Sequence, residues 1–330
     1  MNRPIRKHDS SEDVILNSHC TGCGACINIC PYRKLNKNGA VIVFNCSHTQ
    51  GKCDNVCPMT NSQNYFSARD KTSPIGNILE IYRSKAGKKF KNFFTAKKTV
   101  TALNCFILNS SASKKILMTK TGKDLRPIPF FAGTEEEIIN LSQTNYCSSP
   151  LLSSVNLSEE NSYSFTGLPC HILSLAKFEK LDSCFQKPFL PEIKISLFCT
   201  WSLDPEGYAR YLSKNFKDKK IKASYMIPGS QKKIFFEFDD GSKTEKNLDE
   251  IKPFVRKGCS ICTDLTGEYS DISVGDCETD QNFNTLIIRT EKGSDLVRNA
   301  VKSSYLEIYD YPQKTRIMLE NASISKKEKI

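Results

Sequence analysis

The run Cys20-x2-Cys23-x2-Cys26-x3-Cys30-Pro31 restricts this chain more than any other feature in it. Three thiolates at that spacing can wrap one iron–sulfur cubane, while the fourth cysteine faces away and ligates a neighbouring cluster. Gly22 and Gly24 permit the turns and leave backbone N–H groups free to point at sulfur. A zinc knuckle is the competing reading, but zinc sites usually show two separated cysteine pairs. Residues 14–60 are dense in Cys, Gly and Asn, with little periodic apolar pattern. Such a segment cannot build a core alone, so bound metal would have to organise it.

The run has a partial echo, Cys46-x6-Cys53-x3-Cys57-Pro58. Together the two halves read as a dicluster module of the bacterial ferredoxin type. By its crossing rule, Cys57 completes a first site with Cys20, Cys23 and Cys26, and Cys30 joins Cys46 and Cys53 in a second. Gln50 stands where regular spacing would place one more cysteine. Three outcomes stay open for the second site: a 3Fe–4S centre, a fourth ligand from His48, or complete loss of the cluster.

Bulk composition fits a cytoplasmic redox protein. The 330 residues allow two or three domains, and 39% apolar with 25% charged residues is a globular balance. No stretch approaches eighteen consecutive apolar residues, so no membrane span is expected. The polar start MNRPIRKHDSSEDV lacks an apolar signal region, which makes the cytoplasm the expected compartment. There, fifteen cysteines read as metal ligands rather than disulfides. The net charge of +11 implies an acidic ligand, an acidic partner or nucleic acid. No nucleic-acid reader motif accompanies it, so no nucleic acid is expected. Arg83 to Lys98 holds seven basic residues and no acidic one. That run reads as a solvated face or as an attractor for an anionic cofactor.

Local signals place several elements. Thr134 with Glu135-Glu136-Glu137 is a capping box, and Asp204-Pro205 is an N-cap with proline at the first helical position. Tyr208, Leu212 and Phe216 continue the second helix at a spacing of four. Helices are also expected at 171–181 and 294–303, and strands at Ile193–Phe198, Ile234–Phe238 and Thr285–Arg289, with a hairpin turn at Asp240-Gly241. Further cysteines fall at suggestive places. Cys170 follows Leu168-Pro169, Cys199 closes a strand, and Cys259-x2-Cys262 is a motif shared by zinc sites, redox dithiols and cluster sites. Cys105, Cys147, Cys184 and Cys277 read as buried free thiols; Cys277 also has a second reading, lining a cofactor pocket.

The stretches TGLPCHILSL, SLFCTW, KGCSICTDLTGEYSDISVGD and FNTLIIRTEKGSDLV occur in that order. Together they resemble the beta subunit family of coenzyme F420 hydrogenase and dehydrogenase over roughly 75–305. The resemblance implies an α+β fold with an α/β-like core behind the ferredoxin-like module. Its implied divisions are 14–62 for the module, 75–155 and 156–315 for the two parts of the main domain, and a tail at 316–330, with 1–13 as a lead-in. It implies an FAD-containing oxidoreductase with coenzyme F420 as substrate and a third cluster on Cys170, Cys199, Cys259 and Cys262, hence two to three 4Fe–4S clusters in all. Gly275, Asp276, Asn284, Thr285 and Arg289 would neighbour the flavin. The implied partner is a ferredoxin or redox subunit; the alternative is a non-catalytic relay subunit. One departure stands out. Members carry a Gly-rich stretch before a Val-Thr-Ala helix start, whereas this chain has Lys97-Lys98 before Thr99-Val100-Thr101-Ala102.

Overall fold

The computed structural model describes residues 10–27, 29–37, 39–44, 51–60, 73–90, 98–122, 126–141, 145–155, 162–181, 190–217, 219–226 and 232–328. Cys46, His48, Gln50, Lys97 and Cys184 lie outside the described residues, as do the expectations placed on them.

The chain enters through a short helix, α1 (Ser11–Leu16), capped by Ser10. The first cysteine run follows, then the hairpin β1 (Arg33–Asn36) and β2 (Gly39–Ile42), then α2 (Lys52–Val56). The expected lead-in at 1–13 is thus corrected from position 10 onward. The Ser11 amide donates to Asp54 at 2.6 Å and its hydroxyl to the Cys53 sulfur at 3.1 Å, which ties α1 to α2.

The main domain is built on an eight-stranded mixed sheet. In chain order its strands are β3 (Glu80–Ala86), β4 (Lys115–Thr121), β5 (Pro127–Ala132), β6 (Tyr163–Gly167), β7 (Lys194–Leu197), β11 (Ile272–Asp276), β12 (Asn284–Ile288) and β13 (Leu306–Asp310). Their spatial order is β13–β3–β12–β11–β7–β6–β4–β5. The four strands β4, β6, β7 and β11 run parallel at its centre, and the outer strands pair antiparallel. Both faces are covered, as a parallel core requires. Ile116 enters one core and its neighbour Leu117 the other, following the alternation of a strand.

On the first face pack α3 (Thr99–Asn109), α4 (Glu135–Asn140) and α7 (Glu291–Lys302). Thr134 caps α4 by accepting from the Glu137 amide at 3.2 Å, as the capping box predicts. On the second face lies α5 (Pro169–Glu179). Its Ile172, Leu175 and Phe178 share a core with Phe165, Leu151 and, from the cysteine-rich module, Cys23, Ala25 and Val56. The module therefore borrows its core from the sheet. Between β7 and β11 come α6 (Pro205–Asn215), whose Asp204 cap accepts from the Gly207 amide at 2.7 Å, and a three-stranded antiparallel sheet. Its strands are β8 (Ile221–Tyr225), β9 (Lys233–Phe238) and β10 (Lys243–Asn247), with the Asp240-Gly241 turn between the last two.

The expected tail at 316–330 is a helix, α8 (Gln313–Lys327). Thr315, Leu319, Ser323 and Lys326 are its buried positions. Leu319 packs with Ile75, Leu265 and Ile287, and the Ser323 hydroxyl donates to the Pro74 carbonyl at 2.7 Å. The segment reads as polar because a serine and a lysine, usually exposed residues, occupy its buried face. Among the described residues no helix is long and apolar enough to cross a membrane.

Candidate metal centres

The parallel strands β6 and β7 lie side by side, with Gly167 opposite Ser196. Cys170 and Cys199 each follow three residues later, so the register carries both to the same carboxyl edge, where open α/β sheets place their ligands. Cys259 opens onto that edge from a 3-10 turn at Lys257–Ile261. The Ser202 amide donates to the Cys259 sulfur at 3.3 Å, and the Cys199 amide donates to the Leu265 carbonyl at 2.9 Å, which binds the loop to the strand end. Burial pushes the Cys199 thiol up to about 12, with the thiolates of Cys259 and Cys262 adding to it. Burial likewise raises Cys170, followed by the thiolates of Cys23, Cys199, Cys262 and Cys259. Cys199, Cys262 and Cys259, up to 92 residues from Cys170 in the chain, thus lie near enough to act electrostatically on it.

A second gathering lies inside the module. Cys20, Cys23, Cys26 and Cys57 line one cavity, with Val14, Ala25 and Ala40 on its apolar side. Gly22 and Gly24 adopt φ of 74° and 84°, and the Gly22 amide donates to the Cys20 sulfur at 3.4 Å. Burial raises Cys26, and the thiolates of Cys23, Cys57, Cys20 and Cys53 raise it further. Cys57 is pushed to about 12, again chiefly by burial. Cys53 and Cys30 lie together beyond this cavity. Burial raises the Cys53 thiol, the Ser11 hydroxyl and Arg33 pull it down, and Asp54 and Cys30 push it up.

Burial keeps these thiols protonated, and they could ionise close together only with a cation among them. Among the described residues no three His, Cys, Asp or Glu side chains sit close enough to hold a single ion.

The residues assigned to the flavin behave differently. Gly275, Asp276, Asn284 and Thr285 face one another across β11 and β12, at the start of α3. Asn284 donates to the Gly275 carbonyl at 3.1 Å and accepts from the Thr99 amide at 3.2 Å. Thr285 bonds the Asp276 carbonyl at 3.2 Å and the Tyr311 hydroxyl at 3.0 Å. A Cβ on Gly275 would meet the Phe198 ring at 1.9 Å, so close packing rather than a cofactor requires glycine there. Arg289 stands at the opposite end of β12. It is buried and donates to Ser273, to the carbonyls of Ile75 and Asn77, and to Thr266, all at 2.8–3.0 Å. These partners hold Arg289 within the fold, and the polar groups of Asn284 and Thr285 are likewise bonded to the protein. Lys98, ahead of α3, takes φ 44°, a conformation that favours the glycine of the related Gly-rich stretch.

Cys105, Cys147 and Cys277 are buried. Sequence reasoning missed the side chains that hold the cysteines. The His171 Nδ1 accepts from the Leu168 amide at 3.0 Å and its Nε2 donates to the Ser149 carbonyl at 2.9 Å, which fixes the turn that presents Cys170. Burial holds that ring near pKa 4, hence neutral. The Asp264 carboxylate accepts from the Thr266 and Gly267 amides at 3.1 and 2.7 Å, shaping the loop after Cys262. On α5, Ser174 approaches Cys23 at 3.8 Å and Lys177 reaches the Cys57 carbonyl. Cys170, Ser174 and Lys177 recur at a spacing of four and three, so one helix face was legible as a unit.

Residues 160–314 match the family model for the C terminus of the coenzyme F420 hydrogenase/dehydrogenase beta subunit, and residues 14–33 match a 4Fe–4S binding domain. An uncharacterized protein of Methanocaldococcus jannaschii is 25% identical over 89% of this chain and 90% of its own length. A coenzyme F420 hydrogenase subunit beta of Methanococcus voltae is 26% identical, covering 61% of this chain and 73% of that protein. The coenzyme F420-dependent sulfite reductase of M. jannaschii is 25% identical over 88% of this chain and 47% of its own length. A chain of the F420-reducing [NiFe] hydrogenase complex from Methanosarcina barkeri shares the fold, with TM-score 0.69 at 19% identity over 78% of this chain and 91% of that one.

Proposed function

We propose that this chain, a member of the coenzyme F420 hydrogenase/dehydrogenase beta subunit family with a 4Fe–4S module ahead of it, conducts electrons between coenzyme F420 and a one-electron partner such as ferredoxin or a redox subunit. One observation supports the reading: described cysteines of neighbouring groups lie within electrostatic reach of one another. Cys170 of the sheet-edge group feels the thiolate of Cys23 in the module cavity, and Cys26 of that cavity feels Cys53 beyond it. Clusters on Cys170, Cys199, Cys259 and Cys262, then on Cys20, Cys23, Cys26 and Cys57, then on Cys30, Cys46 and Cys53 would hand on single electrons in that order. Reduced F420 gives up a hydride, two electrons and one proton together, whereas each cluster takes a single electron, so the transfer needs a two-electron acceptor between F420 and the first cluster. The chain's own work is to hold the sulfurs, bury them from water and tune potentials through amide and hydroxyl donors at Gly22, Ser202 and Ser11.

The favoured sequence reading adds FAD as the splitter of the hydride pair. Because Asn284, Thr285 and Arg289 are engaged within the protein and Phe198 fills the space over Gly275, no step is derived through a flavin. That observation favours the relay subunit as the second reading. Anaerobic purification with iron, sulfide, zinc and flavin quantified separates the cases. Iron, sulfide and stoichiometric flavin, with cluster reduction by reduced F420, supports the proposal as a flavoenzyme. Reduction only through an added partner enzyme leaves the relay. A colourless zinc protein would overturn both.

A further inference from the structure

Buried cations accompany the thiol groups: besides Arg256, which acts on Cys259, Lys177, Lys326 and Arg33 are the most deeply buried of them. On α5, Lys177 is 1% exposed, and its ammonium donates to the Cys57 carbonyl and, at 3.3 Å, to the Thr60 hydroxyl. On α8, Lys326 is 6% exposed and donates to the Cys199 carbonyl. At the start of β1, Arg33 is 2% exposed, and its amide donates to the Cys30 carbonyl at 3.3 Å. The two ammoniums thus stand on the backbone of candidate ligands of two different groups, and Arg33 is tied to a third, Cys30, through its main-chain amide.

Burying a charge without an opposite one costs several kcal/mol per ion. Lysine and arginine are almost never fully buried unless paired. The carboxylates on hand do not repay that cost at Arg33 or Lys326. Arg33 Nη2 lies 3.8 Å from Glu12, itself more than a third exposed, while Arg33 Nε and Nη1 are buried with no partner among the described residues. No carboxylate lies within 4.0 Å of the Lys326 ammonium among the described residues. Asp264, the nearby acid, is engaged with the amides of Thr266, Gly267 and Glu268. Burial works against the Lys326 charge, and the groups around it that favour it once ionised are Cys262, Cys199, Asp264 and Cys259. The groups that draw on Lys177 are Cys57 and Cys23, and Arg33 acts on Cys53.

An all-thiolate 4Fe–4S cluster, and equally a 3Fe–4S centre on three thiolates, is a net anion in each of its usual states, and net charge is one of the terms that set its potential. It supplies negative charge beside each of the three cations. We infer that Lys326, Lys177 and Arg33 are dedicated countercharges, one for each centre, that raise its reduction potential, and that the unpartnered Arg33 donors bond the sulfur of the second centre. The inference rests on the proposed presence of clusters and deepens it. A fixed positive charge in a poorly screened interior favours the reduced, more negative cluster. It acts on its own centre more than on the next, because the attraction falls with distance. The protein thereby sets each potential separately.

The test uses the full chain with its clusters assembled anaerobically, titrated electrochemically under electron spin resonance. Iron and acid-labile sulfide in the wild type test the reading beneath it; their absence would end that reading without bearing on countercharge. Signals are assigned to centres by removing each in turn, for example with Cys259→Ser. Lys326→Met should lower the midpoint of the sheet-edge centre by at least tenfold in its reduction equilibrium, about 59 mV for one electron, and leave the other two in place. Lys177→Met and Arg33→Gln should do the same to the first and second module centres. Lys326→Arg and Arg33→Lys keep the charge and should keep the potential. Unmoved midpoints, or a common shift of all centres by any one substitution, would overturn the inference. If a neutral variant fails to hold iron while its charge-keeping counterpart holds it, countercharge is upheld. If both fail, the side chains act through shape and the inference falls.

Discussion

The joint between the cysteine-rich module and the sheet-edge loop can be tested with one methyl group. Gly258, in the turn before Cys259, packs directly on the backbone of His19, the residue before Cys20. A Cβ at 258 would lie 2.2 Å from the His19 carbonyl oxygen and 2.9 Å from its carbon. Ordinary van der Waals contact begins more than 1 Å farther out, and both sides of this contact are backbone, so no side chain can swing away. Gly258→Ala must push the loop and the module apart. Overpacking of this kind costs about 1–3 kcal/mol, and each kcal/mol lowers the melting temperature of a chain this size by roughly 2–4 °C. The same separation lengthens the path from Cys259 to Cys20. Thermal unfolding of the loaded protein reads the first effect, and the rate at which electrons admitted at the sheet edge reach the module reads the second. Gly133→Ala is the control, since the nearest atom to its Cβ is 4.0 Å away. If Gly258→Ala melts and transfers electrons like Gly133→Ala, the joint does not lie where the structure puts it.

Other substitutions probe separate claims. Cys259→Ser should remove about four irons per chain and stop electron delivery to the module while its own signals persist; an unchanged iron content would remove the third centre. Gln50→Cys should replace an oxidised 3Fe–4S resonance by 4Fe–4S signals, and an unaltered spectrum would show that the gap in the second motif is misaligned. Leu319→Ala, truncating a buried side chain of α8, should destabilise by about 2–5 kcal/mol in denaturant unfolding. A loss well under 1 kcal/mol would return the C-terminal segment to the status of a tail.

Several parts of the site were legible because they depend on neighbours in the chain. The Cys20–Cys30 spacing needs only local turns, and Gly22 and Gly24 supply the left-handed φ those turns demand. The caps at Thr134 and Asp204 likewise act within three residues, so the helices they start could be placed beforehand. The flavin residues show the opposite case. Arg289 carries the same letters in either role, and only packing gives it its partners, Ser273, Thr266 and two carbonyls.

By itself the sequence determined that this chain holds sulfur ligands for iron, because thiol identity and short-range spacing are written in consecutive residues. It also marked Cys170, Cys199 and the Cys259–Cys262 pair as element ends. Only the tertiary structure decided that these four lie near one another. The parallel pairing of β6 and β7 sets Gly167 beside Ser196 and so delivers Cys170 and Cys199 to one edge. It likewise decided which cations are interior. Nothing in the sequence sets Lys177, Lys326 and Arg33 apart from the other basic residues, 47 in all, and their burial comes from the packing of α5, α8 and β1. Burial is a property of surfaces brought together across the chain, which local spacing does not encode.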